Sequence, residues 1–372
     1  MKTGLYVHIP FCLSRCAYCN FCSYTVREYG AYADALAEEL ALRSVAEKID
    51  TVYFGGGTPS ILPESAMGKI MEAVRRNFDI DKNAEITVEC NPASADGQKI
   101  KFLKSLGFNR FSLGLQCAND EILSAMGRPH DTKDFCTTVE SFLKEGLTNI
   151  SADVMLGLPE QTFDDLDSTL DLIEKYSIPH VSAYALKLER GTTLRRLVKS
   201  GKITLPDDDQ TADMYDRAKA RLEQMGILRY EVSNFAKIGF ESRHNLIYWN
   251  SFPYIGAGCS AHGYYGGARY SNLKNLRKYI VRLNNGLLPV LQSKRQTLGE
   301  EKFDFVMLAL RLDKGLEKNE FQGRFGADFF ESYPKVKALL EKGVLSDDGG
   351  FVKVDEKFTY VLNDVLVEML FD

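Results

Sequence analysis

From residue 3 to residue 226 the chain switches repeatedly between two hydrophobic periods, and that alternation restricts the fold more than any other feature. Residues 3–9 run apolar and β-branched, as a buried strand does. Residues 27–47 then repeat at helical spacing, with Tyr29, Ala33, Leu36 and Leu40 on one face and Glu38, Glu39 and Arg43 elsewhere. Thr51-Val-Tyr-Phe reads as a strand, and Met67, Ile70, Met71, Val74 and Phe78 mark a helix. The pattern continues with strands at 85–89, 110–115, 150–155 and 180–186. Between and after them fall helices at 94–106, around Phe135, Val139, Phe142 and Leu143 with Gly146 as the stop, around Phe163, Leu166, Leu170 and Ile173, and at 208–226. Strands alternating with helices demand parallel sheet and right-handed crossovers. The six units are fewer than the eight of a closed barrel. A doubly wound sheet and an incomplete barrel both satisfy the pattern.

A boundary is expected near residues 285–300, where Gly286, Pro289 and a polar stretch precede a new helix. Beyond it the order is helix, helix, a hairpin signal at Gly343-Val-Leu-Ser-Asp-Asp-Gly-Gly-Phe-Val-Lys-Val, and a last helix from Asn363. The expected division is 1–240, a connecting region at 241–295, and a small α+β, winged-helix-like domain at 296–372. That last segment holds no basic run, so DNA binding is not expected of it.

The formal net charge of −5 disfavours broad nucleic-acid binding through phosphate neutralisation. No apolar run approaches the ~20 residues of a membrane span, and no signal-peptide core is present. A cytoplasmic, reducing location is the expectation.

Chemistry is concentrated in Cys12, Cys16 and Cys19, spaced C-x3-C-x2-C. Three soft thiolates on one short loop suit three irons of a cubane cluster and leave a fourth iron open. A structural zinc site asks for a second cysteine pair, which does not follow. A disulfide framework belongs to small secreted chains. A thioredoxin-type pair leaves Cys12 idle, and a chance grouping of eight cysteines is the remaining alternative. Cys90, Cys117 and Cys136 match no motif and read as small core residues.

With Tyr18 inside the last pair, the loop resembles the signature of the radical S-adenosylmethionine (SAM) superfamily, C-x3-C-x-aromatic-C. The resemblance implies a partial (β/α)6 barrel, a [4Fe-4S] cluster on Cys12, Cys16 and Cys19, and SAM on the fourth iron. It also implies reductive cleavage of SAM to methionine and a 5′-deoxyadenosyl radical, fed by an electron donor such as flavodoxin or ferredoxin. Strand ends are where such a barrel places its working groups. On the family's pattern, SAM contacts fall to Gly57, Thr58 and Pro59 after the second strand, to Glu89, Gln116 and Asp153 at later strand ends, to Arg128 in Met-Gly-Arg-Pro-His, and to Tyr6 and Tyr18.

The phrase His8-Ile-Pro-Phe-Cys is similar to the branch holding oxygen-independent coproporphyrinogen III dehydrogenases and HemW-type heme chaperones. Arg243-His244-Asn245-Leu246-Ile247-Tyr248-Trp249 carries H-N-x-x-Y-W, which resembles the chaperone motif and holds the single tryptophan. Imidazole suits heme iron and aromatic rings can wall a porphyrin, so His244 is the expected heme contact and His262 its competitor. Two departures from the dehydrogenases point the same way. Cys22 follows Cys19 at C-x2-C rather than C-x-C, and the first cluster cysteine is already residue 12. The implied partners are heme, hemoprotein clients that include respiratory, membrane-associated ones, and an electron donor; a homodimer stays open. The enzyme alternatives are porphyrinogen dehydrogenation, methyl transfer and heme degradation.

Overall fold

The computed structural model describes residues 2–370. In chain order come β1 (Gly4–Ile9), α1 (Tyr29–Leu42), β2 (Ile49–Gly56), α2 (Glu64–Asn77), β3 (Ile80–Cys90), α3 (Gly97–Ser105), β4 (Arg110–Gln116), α4 (Asp120–Ala125), α5 (Thr132–Lys144), β5 (Ile150–Leu156), α6 (Phe163–Lys175) and β6 (His180–Ala185). Strands β1 to β6 pair in parallel and in sequence order. A doubly wound sheet reverses its strand order at a switch point. This one does not, so right-handed crossovers carry every helix to the same face. The fold is therefore an incomplete (β/α)6 barrel.

The pleat divides each strand's work. Leu5, Val7 and Ile9 pack outward with Tyr32 and Leu36 of α1 in the main core. Tyr6 and His8 face the barrel interior, where Tyr6 stacks 6.1 Å from Tyr53 and hydrogen-bonds to His8 Nδ1 at 2.9 Å. α1 is shorter than its periodicity predicts. Ser44 leaves the helix to donate to the Asn77 carbonyl at 2.7 Å, and residues 43–48 turn the chain into β2.

Next come α7 (Thr193–Lys199), α8 (Asp208–Gln224), β7 (Leu228–Arg229), β8 (Asn234–Ala236) and α9 (Arg243–Trp249). β8 continues the sheet antiparallel to β6. Then follow β9 (Tyr254–Ala257), β10 (His262–Tyr265), β11 (Ala268–Asn272), α10 (Leu276–Asn284) and β12 (Val290–Arg295). Residues 241–295, read from sequence as a connecting region, thus extend the sheet. β9 lies parallel to β1, and the full order is β12-β11-β10-β9-β1-β2-β3-β4-β5-β6-β8-β7. Glycine hides these strands from a propensity reading. At Gly256 a Cβ would stand 1.8 Å from the His262 carbonyl oxygen, so only glycine permits β9 and β10 to lie this close.

Glu39, which the helical spacing places off the apolar face of α1, is fully buried. Its carboxylate accepts from Arg43 Nε (2.6 Å), the Tyr279 hydroxyl (2.6 Å), Asn272 Nδ2 (2.6 Å) and the Gly258 amide (2.8 Å). One side chain thereby ties α1 to β11, α10 and the turn after β9.

The chain closes with α11 (Leu298–Ala309), β13 (Leu316–Glu317), α12 (Lys318–Phe325), α13 (Phe329–Ser332), α14 (Lys335–Glu341), β14 (Leu345–Asp347), β15 (Phe351–Val354) and α15 (Leu362–Leu370). This segment has its own core, in which Phe305, Phe321, Phe329, Leu339 and Val352 are buried, and its own sheet in the order β13-β15-β14.

Candidate functional site

The cysteine loop crosses the C-terminal end of the barrel and is held by backbone bonds at its base. Cys12 N donates to Tyr24 O (3.0 Å) and Tyr24 N to Pro10 O (2.7 Å). The far side is pinned through Ala17 N to Met126 O and Leu194 N to Ala17 O, both 2.9 Å. Cys19 N donates to Cys16 O at 3.1 Å, a tight turn that sets the last cysteine beside the second.

Below the loop lies a cavity of about 600 Å³. Cys12, Cys16 and Cys19 line it from above, Gly57, Thr58, Glu89 and Gln116 line it from the strand ends, Asp153 from the middle of β5 and Arg128 from the loop after α4. Tyr18 closes one side, its hydroxyl donating to Gln116 Oε1 at 3.3 Å. Gly57 N donates to Ile9 O at 2.8 Å, and a Cβ there would meet Phe11 O at 2.5 Å, so the close approach of β2 to the loop requires glycine. Gln116 owes its position to a register shift between Gly114 and Gln116 and to its own positive φ of 70°.

Two expected residues lie outside this cavity. Pro59 is buried at the start of a short 3-10 turn that follows Thr58. Tyr6 sits deeper in the barrel and faces a neighbouring groove. Ser112 and Tyr184 line the cavity and were missed. Ser112 holds Asp153 through bonds of 3.1 and 3.3 Å. Its signal was present in β4, where Ser112, Gly114 and Gln116 recur with the period of two that marks one strand face.

The electrostatics favour a cationic ligand near sulfur. Glu89 accepts from the Tyr53 hydroxyl (2.8 Å) and the Gly56 amide (3.0 Å), yet its depth raises its pKa to about 7. Depth likewise raises Asp153 to about 6, against the hydrogen bonds from Ser182 and Ser112. Arg128 Nη1 donates to Cys16 Sγ at 3.5 Å and Thr58 Oγ1 to Cys12 Sγ at 3.7 Å. Buried Arg128 Nε has no partner. Donors directed at sulfur fit thiolates, and an unpartnered buried guanidinium N–H fits a ligand carrying acceptors. Among the described residues no three His, Cys, Asp or Glu side chains converge on a single metal ion. A cubane asks instead for one thiolate per iron, which three separated cysteines supply.

His244, the expected heme contact, lies inside the fold. It is fully buried, with Nδ1 bonded to Thr51 Oγ1 (2.7 Å) and Nε2 to the Tyr248 hydroxyl (2.8 Å). Glu85 accepts the Arg243 and His244 amides at 3.0 Å each and so anchors the start of α9. An imidazole with both nitrogens engaged and no exposure cannot reach iron as it stands. The helical spacing of the motif was legible; that its histidine faces inward was not. Tyr248, on the next turn, does line the groove that Tyr6 faces, whereas Trp249 does not.

The family model for the Radical SAM superfamily matches residues 6–173, and that for the HemN C-terminal domain matches residues 297–357. A Bacillus subtilis protein named heme chaperone HemW is 35% identical over 98% of this chain and 98% of its own length. The protein of that name from Mycobacterium tuberculosis H37Rv is 36% identical over 93% of this chain and 89% of its own. The solved coproporphyrinogen III oxidase HemN of Escherichia coli superposes with a TM-score of 0.85 over 99% of this chain and 89% of its own, at 22% identity; it shares the fold.

Proposed function

Because the chain belongs to the HemW family of radical SAM proteins, we propose that it is a heme chaperone, binding heme and passing it to hemoproteins. The observation that carries this reading is the end-to-end match to chaperones so named, at 35% identity over 98% of both chains. The cysteine-lined cavity supports the cofactor half of it. When bound, the cluster and SAM supply one-electron reduction of a sulfonium.

The chain's own residues hold and orient. Cys12, Cys16 and Cys19 are the cluster ligands, with Thr58 and Arg128 donating to two of the sulfurs. Glu89 and Asp153 offer carboxylates to the cationic and hydroxyl groups of SAM, and Gln116, Tyr18 and the Gly57 backbone shape the wall around it. Pro59 and Tyr6 act from behind, by fixing the turn after Thr58 and the barrel interior. No residue is assigned a catalytic proton transfer.

The remaining parts of the reading are a small electron donor, clients that include membrane-associated hemoproteins, a cytoplasmic location and a barrel of residues 1–240 with a separate segment from 296. Among the described residues no helix is long and apolar enough to cross a membrane. The test presents the anaerobically reconstituted protein with heme and, in parallel, with coproporphyrinogen III and SAM. Heme binding without porphyrinogen consumption is expected. Decarboxylation of the porphyrinogen without heme binding would assign the chain to the dehydrogenases instead.

A further inference from the structure

Where on this chain heme iron binds follows from the state of its five histidines. Four are buried and have both ring nitrogens engaged. His8 bonds to the Tyr6 hydroxyl and Cys22 O, His130 to Asn91 and Leu115 O, His180 to Ser151 and the Tyr230 hydroxyl, and His244 to Thr51 and Tyr248. His262, at the start of β10, is exposed, and among the described residues its ring makes no hydrogen bond. It is the one imidazole free to take a metal without first breaking a bond.

Its surroundings match a flat, apolar dianion. His262 lines a groove of about 590 Å³, within the ~300–1,000 Å³ of small-molecule sites. Tyr248 and Tyr254 form an aromatic wall, their rings 4.6 Å apart and edge-to-face. Phe21, 70% exposed, offers a second apolar surface on the cysteine loop. Arg15 and Lys274 also line the groove, and no Asp or Glu does. In a chain of net charge −5, a groove with cations and no carboxylate is selective for an acid. A competing cavity of about 730 Å³ lies between α9 and the C-terminal segment. It contains no His, Cys or Met, and its Tyr230 hydroxyl is already bonded to His180 and the Ser242 amide.

We propose that this groove is the heme site, with His262 the axial ligand, Tyr248 and Tyr254 against the porphyrin, and Arg15 and Lys274 pairing the propionates. The inference rests on the heme-binding reading above. It also reassigns the H-N-x-x-Y-W motif: His244 holds the Tyr248 hydroxyl and so positions the wall, and does not touch iron.

The experiment is a hemin titration of the full-length, cluster-loaded protein, followed by the Soret band and by magnetic circular dichroism of the axial ligand. The variants are His262→Ala, Lys274→Glu and Cys22→Ala, with the cluster spectrum as the check on folding. Wild type should show histidine ligation. His262→Ala should lose it and bind at least tenfold more weakly, with free imidazole restoring the wild-type spectrum. Lys274→Glu should weaken binding several-fold without changing the ligand, and Cys22→Ala should leave the ligand unchanged. Retained histidine ligation in His262→Ala, or its loss in Cys22→Ala alone, would overturn the assignment while leaving the chaperone reading standing. Failure of wild type to bind hemin at all would overturn both.

Discussion

His244 and Tyr248 are joined by a 2.8 Å hydrogen bond between the imidazole Nε2 and the phenol, one helical turn apart on α9. Their rings meet edge-on at 4.9 Å, and Tyr248 in turn meets Tyr254 at 4.6 Å. A histidine expected to hold iron is thus the inner end of an aromatic series whose outer end lines the groove. His244→Ala removes partners from Thr51 and Tyr248 together. Each buried polar group left unmatched costs about 1–3 kcal/mol. The expected outcome is a lower melting temperature and weaker hemin binding with an unchanged Soret position. A changed axial ligand in this variant would return the iron to His244.

Cluster content gives a second prediction. Alanine at Cys12, Cys16 or Cys19 should abolish the visible charge-transfer absorption, and wild type should reconstitute with about four irons per chain. Cys22→Ala should keep the cluster, because Cys22 lines the groove and its thiol bonds to the Lys274 carbonyl at 3.5 Å. Iron analysis of the four variants side by side decides this, and loss of iron in Cys22→Ala would show that three ligands are too few.

The SAM pocket gives a third, with a defined pH sign. Glu89 titrates near 7 in the folded chain, raised by its depth from the ordinary carboxylate range. A raised carboxyl stabilises the ligand-free fold at low pH, and that contribution is lost as pH rises through about 7. A cationic ligand demands the ionised form. SAM affinity should therefore climb with pH until about 7 and release protons on binding. Calorimetry in two buffers of different ionisation enthalpy measures both. Glu89→Gln should remove the step near 7 and leave that of Asp153 near 6, and Asp153→Asn should weaken SAM about tenfold or more, as expected for a lost bond to a charged group. A flat wild-type profile would remove Glu89 from the SAM contacts.

Glu39 supplies a prediction about stability alone. Glu39→Ala leaves Arg43, Tyr279, Asn272 and the Gly258 amide without their common acceptor. Removing one member of a buried charge network costs about 3–5 kcal/mol. Urea denaturation should show that loss in the midpoint. A change under about 1 kcal/mol would mean that solvent replaces the carboxylate.

The sequence made the six parallel strands and the cysteine loop legible because both are written in local periodicity and spacing. Gly57, Thr58, Glu89 and Gln116 share one cavity because each follows or closes a strand, and strand ends of a barrel converge, while Asp153 reaches it from within β5 and Arg128 from the loop after α4. What escaped was set by contacts distant in the chain. Glu39 reads only as lying off the apolar face of α1 until Tyr279 and Asn272 arrive from across the molecule. His244 reads as available until Thr51 and Glu85 enclose it. β9 to β11 are short, β9 and β10 each carry a glycine, and their partners are supplied by β1, β12 and one another, not by propensity.

The place of β9 beside β1 sets an order of events during synthesis. Cys12, Cys16 and Cys19 leave the ribosome long before residues 254–257 do. β1 gains its second neighbour only when Tyr254–Ala257 has been translated. The carbonyl of Lys274, which receives Cys22 Sγ and the Tyr24 hydroxyl at the base of the loop, comes later still. Until then the three thiols stand on a loop with one flank open. The nascent chain therefore passes through an interval in which iron and sulfide have their widest access, and residues 254–274 end that interval by folding against the loop.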